Sequence, residues 1–470
     1  HVRERKQFDV PIGSFQAVKH MVVDVYVAIE RARAVVHYAA RALAEGESHR
    51  VVAASMAKAA AGECQQLAVR HGIQLFGGLG FTWENDLQIF VRHAKAGELL
   101  LGTAASHRAI VAAEPSARDG LGGMGPGDDG ETADFLAELR AWLEANKPDP
   151  SETGDRPMSS AHVPAWAREW QRAMFDAGWL VPGNAPEFGG RNATLLQQFA
   201  HLEELDRQGI SSSFNPQGLS IIVPSILAFG TDEQKQRWAI PILRDEITAA
   251  LGMSEPDAGS DLAGLRTKAI LEGDHFRVNG QKVWTSGAHD ADVILAFVRT
   301  DPDAAKHKGL SVLLIPTDLP GVTCRPFGSV LDPEELDFNE VFFDDVMVPA
   351  ENLIGPLHEG WKVATGSLGH ERAMLWQSFA TRLDQLIADA PAALEAAGSW
   401  DDPLVRDAYG EIIVDAYALR LLGYRGLLRA SRGQIGPEQS ILKLFASEAV
   451  QRGTLDVLEA LGPAGLDNKV

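Results

Sequence analysis

Cysteine is nearly absent from this 470-residue chain: only Cys64 and Cys324 occur, far apart and outside any CxxC pattern. That scarcity excludes a disulfide framework and a thiolate zinc site, and both thiols read as small hydrophobes for the interior. Long apolar runs are missing too. None approaches the roughly 18–20 residues that span a bilayer. The opening residues His1 to Lys6 are followed directly by no apolar segment, so they form no signal peptide. A cytoplasmic protein without stable membrane insertion is the expectation. Positive charge is in deficit, with 43 Lys and Arg against 64 Asp and Glu, a net charge of -21. Such a chain repels polyphosphate, which argues against nucleic acid as a partner but leaves room for one local phosphate pocket. There is no initiator Met, and the end at Asn468-Lys469-Val470 carries no helix stop. The chain reads as a fragment at both ends.

What is present fits a soluble globular protein of two to four domains, with 45% apolar and 23% charged residues. The strongest feature is an internal repeat. Ser55-Met56-Ala57-Lys58 is followed by a helical stretch and Gly77-Gly78-Leu79-Gly80-Phe81; Ser440-Ile441-Leu442-Lys443 is followed by a helical stretch and Gly462-Pro463-Ala464-Gly465-Leu466. Lys and Gly stand 19 residues apart in both copies, which are offset by 385 residues. Upstream, Val23-Asp24-Val25-Tyr26 matches Val414-Asp415-Ala416-Tyr417 at an offset of 391. Two copies of one helical domain therefore stand a protein-length apart.

Between the copies, 113–131 is Gly-rich without apolar periodicity and reads as a linker. Helical patterning then runs from Phe135 to about 248, with a helix start at Asp232-Glu233-Gln234 after Gly230. From 250 to 350 the period becomes that of strands. His275 to Val278, Asn279-Gly280 and Gln281 to Trp284 read as a hairpin closed by a type I′ turn. Val293 to Val298 and Ser311 to Ile315 are further strands, and helices resume after Pro349. The expected domains are 1–112, a linker 113–131, 132–249, 250–350 and 351–470.

Chemistry concentrates where the period changes. Met253-Ser254-Glu255-Pro256-Asp257-Ala258-Gly259-Ser260-Asp261 offers small residues for close backbone approach and hydroxyl donors beside free amides. A plain turn is the competing reading. Trp284-Thr285-Ser286-Gly287 places an indole and two hydroxyls on a strand end, suited to a planar heteroaromatic ring. These stretches, with Phe338 to Pro349 and Pro186-Glu187-Phe188-Gly189-Gly190, resemble in order the acyl-CoA dehydrogenase family over residues 130–470. The first 115 residues resemble that family's C-terminal helical domain, so the chain is similar to a tandem, double-length member.

The resemblance implies an α+β, mainly α fold: a helical domain, a β-barrel-like middle domain and a C-terminal four-helix bundle. It implies FAD, an acyl-CoA substrate and α-proton abstraction with β-hydride transfer to flavin N5, yielding a 2-enoyl-CoA. Electron-transfer flavoprotein is the implied acceptor, and a homo-oligomer with pseudo-dimeric halves the implied assembly. Carried over by residue, Met253 and Ser254 lie at the flavin near N5, Ser260 near flavin phosphate or acyl-CoA, and Trp284 and Ser286 on the isoalloxazine. Arg5, Gln7 and Phe8 resemble the motif reaching the FAD pyrophosphate. Gln74, Gly77 and Gly78 resemble the loop holding the ADP portion, and Thr103 is a further cofactor contact. Guanidinium and glycine suit those tasks physically.

Leu101, before Gly102-Thr103, stands where most relatives carry the catalytic glutamate, and the second copy lacks the Arg-containing motif. One FAD site per pair of halves is the expectation. The base is then expected at Glu371 beside Arg372, which also faces substrate, or beyond residue 470. A carboxylate with a reference pKa of about 4.3 needs an apolar setting for that work. Steroid side-chain thioesters are one expected substrate class. An acyl-CoA oxidase, a non-catalytic flavin- or DNA-binding relative, and a structural partner of a catalytic chain stay open.

Overall fold

The computed structural model describes residues 1–117, 130–148, 159–211, 214–330, 333–334, 336–434, 436 and 438–466. Most of the expected linker lies outside them. Two compact units form, one from His1–Gly125 with Met374–Val470 and the other from Pro126–Ala373.

The first unit begins with a two-stranded hairpin, β1 (Lys6–Gln7) and β2 (Val10–Pro11). Phe8 and Asp9 turn it at φ 53° and 64°, the left-handed pair that matches strand twist. Helix α1 (Gln16–Glu45) stops at Gly46, which at φ 69° takes the left-handed cap that ends many helices. α2 (Arg50–Phe76) packs along α1, and α3 (Leu87–Leu99) and α4 (Ala104–Ala113) follow.

The second unit opens with α5 (Gly130–Asn146), α6 (Ala165–Asp176), α7 (Leu195–Arg207), α8 (Val223–Phe229), α9 (Asp232–Gln234) and α10 (Ile240–Leu243). The expected start at Asp232 is present: Thr231 and Gln234 exchange hydrogen bonds in a capping box. Eight strands form one mixed sheet: β3 (Ala249–Gly252), β4 (Lys268–Glu272), β5 (His275–Lys282), β6 (Val293–Arg299), β7 (Leu310–Pro316), β8 (Val322–Phe327), β9 (Phe338–Pro349) and β10 (Leu353–Ile354). The order is β10-β7-β6-β4-β5-β9-β8, with β3 parallel to β6. β6 is buried on both faces. Val293, Leu295 and Phe297 join a core with the helices, while Ile294, Ala296 and Val298 join a second core with Phe276, Val341 and Val348. Period-two alternation thus feeds two cores from one strand.

Two expectations need correction. The sheet is no closed barrel: among the described residues β8 and β10 are its ends. Asn279-Gly280 is not a turn. β5 runs through it, and the hairpin to β4 turns instead at Gly273-Asp274, with Gly273 at φ 67°. Gly280 marks an irregularity in the β5–β9 register, where a Cβ would lie 2.7 Å from the Thr267 Cα.

Helix α11 (Gly360–Ala397) follows the sheet, and α12 (Pro403–Ser431) and α13 (Glu438–Leu461) complete the first unit. There α12 packs on α1, α4 and α13, so the two helical copies share one bundle. Gly410 lets α4 approach: a Cβ there would sit 2.5 Å from the Arg108 carbonyl. Arg31 donates to Asp415 at 2.6 Å, Arg108 pairs with Asp407 at 2.7 Å, and Arg425 pairs with Glu30. Cys64 and Cys324 are half-buried rather than buried, and burial pushes the Cys324 thiol up to about 11.

Candidate flavin and acyl-CoA site

The end of β5 and the loop after β3 are tied by backbone and by charge. The Val283 amide donates to the Ser254 carbonyl at 3.0 Å. One residue on, Trp284 holds φ at 61° with 59% of its surface exposed. A bulky non-glycine residue in the left-handed region is strained, and such strain concentrates at functional positions. Phe327 and Phe338 meet its ring edge-on, with centroids 5.2 and 5.5 Å away. The chain beyond it is fixed by Asn339, which is buried: Thr285 N donates to its carbonyl at 3.2 Å and its amide donates to the Thr285 carbonyl at 3.1 Å.

Ser254 and Ser286 are partly exposed, and their hydroxyls have no hydrogen-bond partner among the described residues. A tight turn follows Ser254, with Glu255 and Ala258 exchanging backbone bonds at 3.0 Å. It leaves Gly259 open and Ser260 exposed. Met253 packs partly against the helical core. An exposed indole face, free hydroxyls and an open glycine turn fit a planar heteroaromatic group with polar edges.

In the first unit, Phe8 at the β1–β2 turn is 88% exposed and meets Phe15 edge-on at 6.1 Å. His1 stacks on Phe76 at 4.7 Å, which sets the segment carrying Arg5 and Gln7 beside the end of α2, where Gln74, Gly77 and Gly78 lie. Gly77 has φ 61°, and a Cβ on it or on Gly78 would meet open space. Gln7 bonds locally, to the Lys6 carbonyl at 2.7 Å. The Thr103 hydroxyl caps α4, accepting from Ser106 N at 3.3 Å, which leaves its own O–H to donate. Leu101 keeps a left-handed φ of 65° and is 83% exposed. Its loop is held by Lys58, which donates to the Glu98 and Gly102 carbonyls at 3.0 and 2.8 Å.

Glu371 and Arg372 belong to α11, and their side chains lie outside the described residues. Sequence reasoning missed Phe327, Lys282 and the role of Asn339; no local pattern around Trp284 points to Phe327, which stands at the end of β8. A cavity of about 660 Å³ also opens in the first unit, lined by Arg31, Arg70, Arg452, Glu63, Glu411 and Glu448, with charges of both signs. Among the described residues no three His, Cys, Asp or Glu side chains gather as a metal site, and no helix is long and apolar enough to cross a membrane.

Fold and geometry together define a class in which a helical layer packs on a mixed sheet that presents a strained, exposed tryptophan at a strand end. The family model described as "Acyl-CoA dehydrogenase, N-terminal domain" matches residues 130–246, that for the middle domain 250–346, and that for the C-terminal domain both 1–114 and 358–470. The chain belongs to the acyl-CoA dehydrogenase family. It is 33% identical to acyl-CoA dehydrogenase FadE34 of Mycobacterium tuberculosis over 95% of this chain, and it spans 59% of that relative's length. Acyl-CoA dehydrogenase IpdE1 of the same organism is 39% identical over 72% of this chain and 87% of its own. Among solved structures, the Tcur3481-Tcur3483 steroid ACAD superposes with a TM-score of 0.61 at 28% identity, covering 73% of this chain and 88% of that one. The ChsE4-ChsE5 complex from Mycobacterium tuberculosis gives a TM-score of 0.57 at 30% identity, covering 72% and 86%.

Proposed function

We propose that the chain is the flavin-carrying part of an FAD-dependent acyl-CoA dehydrogenase that introduces an α,β double bond into a bulky, ring-bearing acyl-CoA. The observation that carries this reading is Trp284: strained, exposed, braced by Phe327 and Phe338, and tied through Val283 to a loop with a free Ser254 hydroxyl. A side chain held against its own backbone preference is positioned for a ligand.

In this proposal Trp284 covers one face of the isoalloxazine, Ser254 hydrogen-bonds near N5, and Ser286 bonds the ring edge. Met253 lines the ring, and Ser260 meets phosphate of the cofactor or of CoA. Arg5 pairs with pyrophosphate, Gln7 and Phe8 flank it, and Gln74, Gly77 and Gly78 take the ADP portion. Glu371 takes the α-proton of the substrate, and Arg372 orients that carboxylate and the thioester. Bound FAD would supply a two-electron acceptor for the β-hydride, with electron-transfer flavoprotein as the onward partner. Thr103, whose hydroxyl also caps α4, is a further cofactor contact. The division into 1–112, 132–249, 250–350 and 351–470, within a longer tandem protein of cytoplasmic location, is part of the same proposal, as is an oligomer of pseudo-dimeric halves. The ring-bearing substrate rests on the described steroid action of the Tcur3481-Tcur3483 neighbour.

Anaerobic bleaching of the flavin absorbance tests it. Steroid-type acyl-CoA is expected to bleach the wild-type flavin, straight-chain acyl-CoA to do so far more slowly, and Glu371→Gln to retain FAD while losing at least a thousandfold in rate. Unchanged bleaching in Glu371→Gln sends the search for the base elsewhere. A wild type that binds no FAD removes the reading altogether.

A further inference from the structure

Directly behind the Ser254 loop lies a charged pair that the proposed chemistry does not use. Lys282, the last residue of β5, has a side chain with no exposed surface. Its ammonium donates to the Met253 carbonyl at 3.1 Å and to Glu255 Oε1 at 2.8 Å. Glu255 is buried as well, and its carboxylate accepts the Arg266 amide at 2.6 Å and the Thr267 amide at 2.9 Å. Gly252 admits Ile294 of β6 beside the pair: a Cβ there would stand 2.9 Å from Ile294 Cγ2, while Lys282 Cγ at 3.5 Å would be in ordinary contact.

Burying an ion pair is costly, and apolar residues of similar volume often do as well or better for stability. Stability alone therefore gives no reason for this pair. Its bonds converge instead on three consecutive residues. Met253 is held by Lys282 Nζ, Ser254 by Val283 N, and Glu255 by Lys282 and two amides. With both flanks and its own carbonyl fixed, Ser254 can direct only its hydroxyl and amide outward.

We infer that Lys282 is a positioning residue of the flavin site: through Met253 O and Glu255 it fixes where the Ser254 hydroxyl stands relative to the ring. The inference rests on the reading above that Ser254 and Trp284 face flavin. Lys282 touches neither cofactor nor substrate, and it acts through the loop it holds. Glu255 is its counter-ion and the link that carries the constraint on to Arg266 and Thr267. Hydrogen bonds to charged groups are stronger than neutral ones, and a hydrogen-bonded hydroxyl displaced by even 1 Å loses most of its bond.

The test compares the full chain as wild type, Lys282→Met, Lys282→Arg and the double variant Lys282→Met/Glu255→Gln. Three quantities are read: the thermal midpoint, amide exchange of 253–267 without cofactor, and FAD affinity with the visible spectrum of the bound flavin. Lys282→Met leaves a lone buried carboxylate and is expected to lose midpoint, amide protection and FAD affinity together. The double variant removes that stranded charge. Its midpoint is expected to return close to wild type, while 253–255 stays deprotected and FAD binds at least tenfold more weakly with a shifted spectrum. Lys282→Arg is expected to restore part of the affinity, since it keeps the donor and the charge. A double variant that regains wild-type affinity and spectrum along with its midpoint shows a purely structural pair and overturns the inference. Wild type and every variant binding FAD equally overturns it too. A wild type that takes up no FAD instead fails the flavin reading, and the inference falls with it.

Discussion

At the scale of single residues, the positions that break a local rule are the informative ones. Trp284 breaks the backbone rule on an exposed strand end, and Lys282 breaks the burial rule just behind it. Asp245 breaks both. It holds φ 53°, is 1% exposed, and neither of its carboxylate oxygens has a hydrogen-bond partner among the described residues. Burial raises its carboxyl to about 6, with Arg168 opposing and Asp292 adding to the rise. A folded-state value above the unfolded one means that the native chain holds the proton more tightly. Stability contributed by this group is therefore present below the unfolded value near 3.8 and is lost as pH rises through about 6. Asp245→Asn removes that loss, and asparagine tolerates the left-handed backbone. The expected gain is about 2–3 kcal/mol at pH 7.5, shrinking to about 0.5 kcal/mol near pH 4. Urea unfolding at the two pH values measures it, and an equal change at both would contradict the titration.

At the scale of elements, the sequence exposed whatever depends on neighbours along the chain. The helix start at Asp232-Glu233-Gln234, the strand at Val293 to Val298 and the repeated Lys-to-Gly spacing are local patterns, and the structure follows each: the first two are a helix and a strand, and both glycines stand just past a helix end. Asn279-Gly280 misled because the cause of its glycine is distant. The hairpin signal is a local preference, whereas the actual constraint is Thr267, on the segment that leads into β4. The left-handed Trp284 and the Lys282–Glu255 pair were illegible for the same reason, since each is imposed by partners far away in sequence. Gly280→Ala tests the corrected reading. In a type I′ turn an alanine would cost about 1 kcal/mol through positive φ alone; here, at φ 151°, its methyl must also displace the Thr267 backbone. A loss of roughly 1–3 kcal/mol is expected in denaturant unfolding. Loss of amide protection along β4 and β5 would locate the damage; a change under about 0.5 kcal/mol would show that Thr267 does not constrain the position.

At the scale of the whole molecule, the first unit is assembled from the two ends of the sequence, and charge joins them. Arg31 and Asp415 stand 384 residues apart, yet their side chains meet at 2.6 Å with 10% and 2% of their surfaces exposed. Arg452 approaches the same carboxylate, and Arg108 adds Asp407 and Glu63. The repeat makes this asymmetric. Asp24, which matches Asp415 in the other copy, has no arginine partner among the described residues and stands 3.9 Å from His71. One copy-related position is thus a buried junction and the other a half-exposed residue beside a cavity, so the bundle is keyed for unlike copies. Asp415→Asn leaves two guanidinium groups facing a neutral amide, one of them buried, which costs about 3–5 kcal/mol. Asp24→Asn is expected to change stability by less than about 1 kcal/mol, as exposed pairs do. Amide exchange separates the cases by place as well as size. Asp415→Asn is expected to deprotect α1 and α12 together, although they are nearly 400 residues apart, while β6 and β7 keep their protection. Equal effects from the two aspartates would show that the repeat is keyed symmetrically and that Asp415 has no special part in joining the copies.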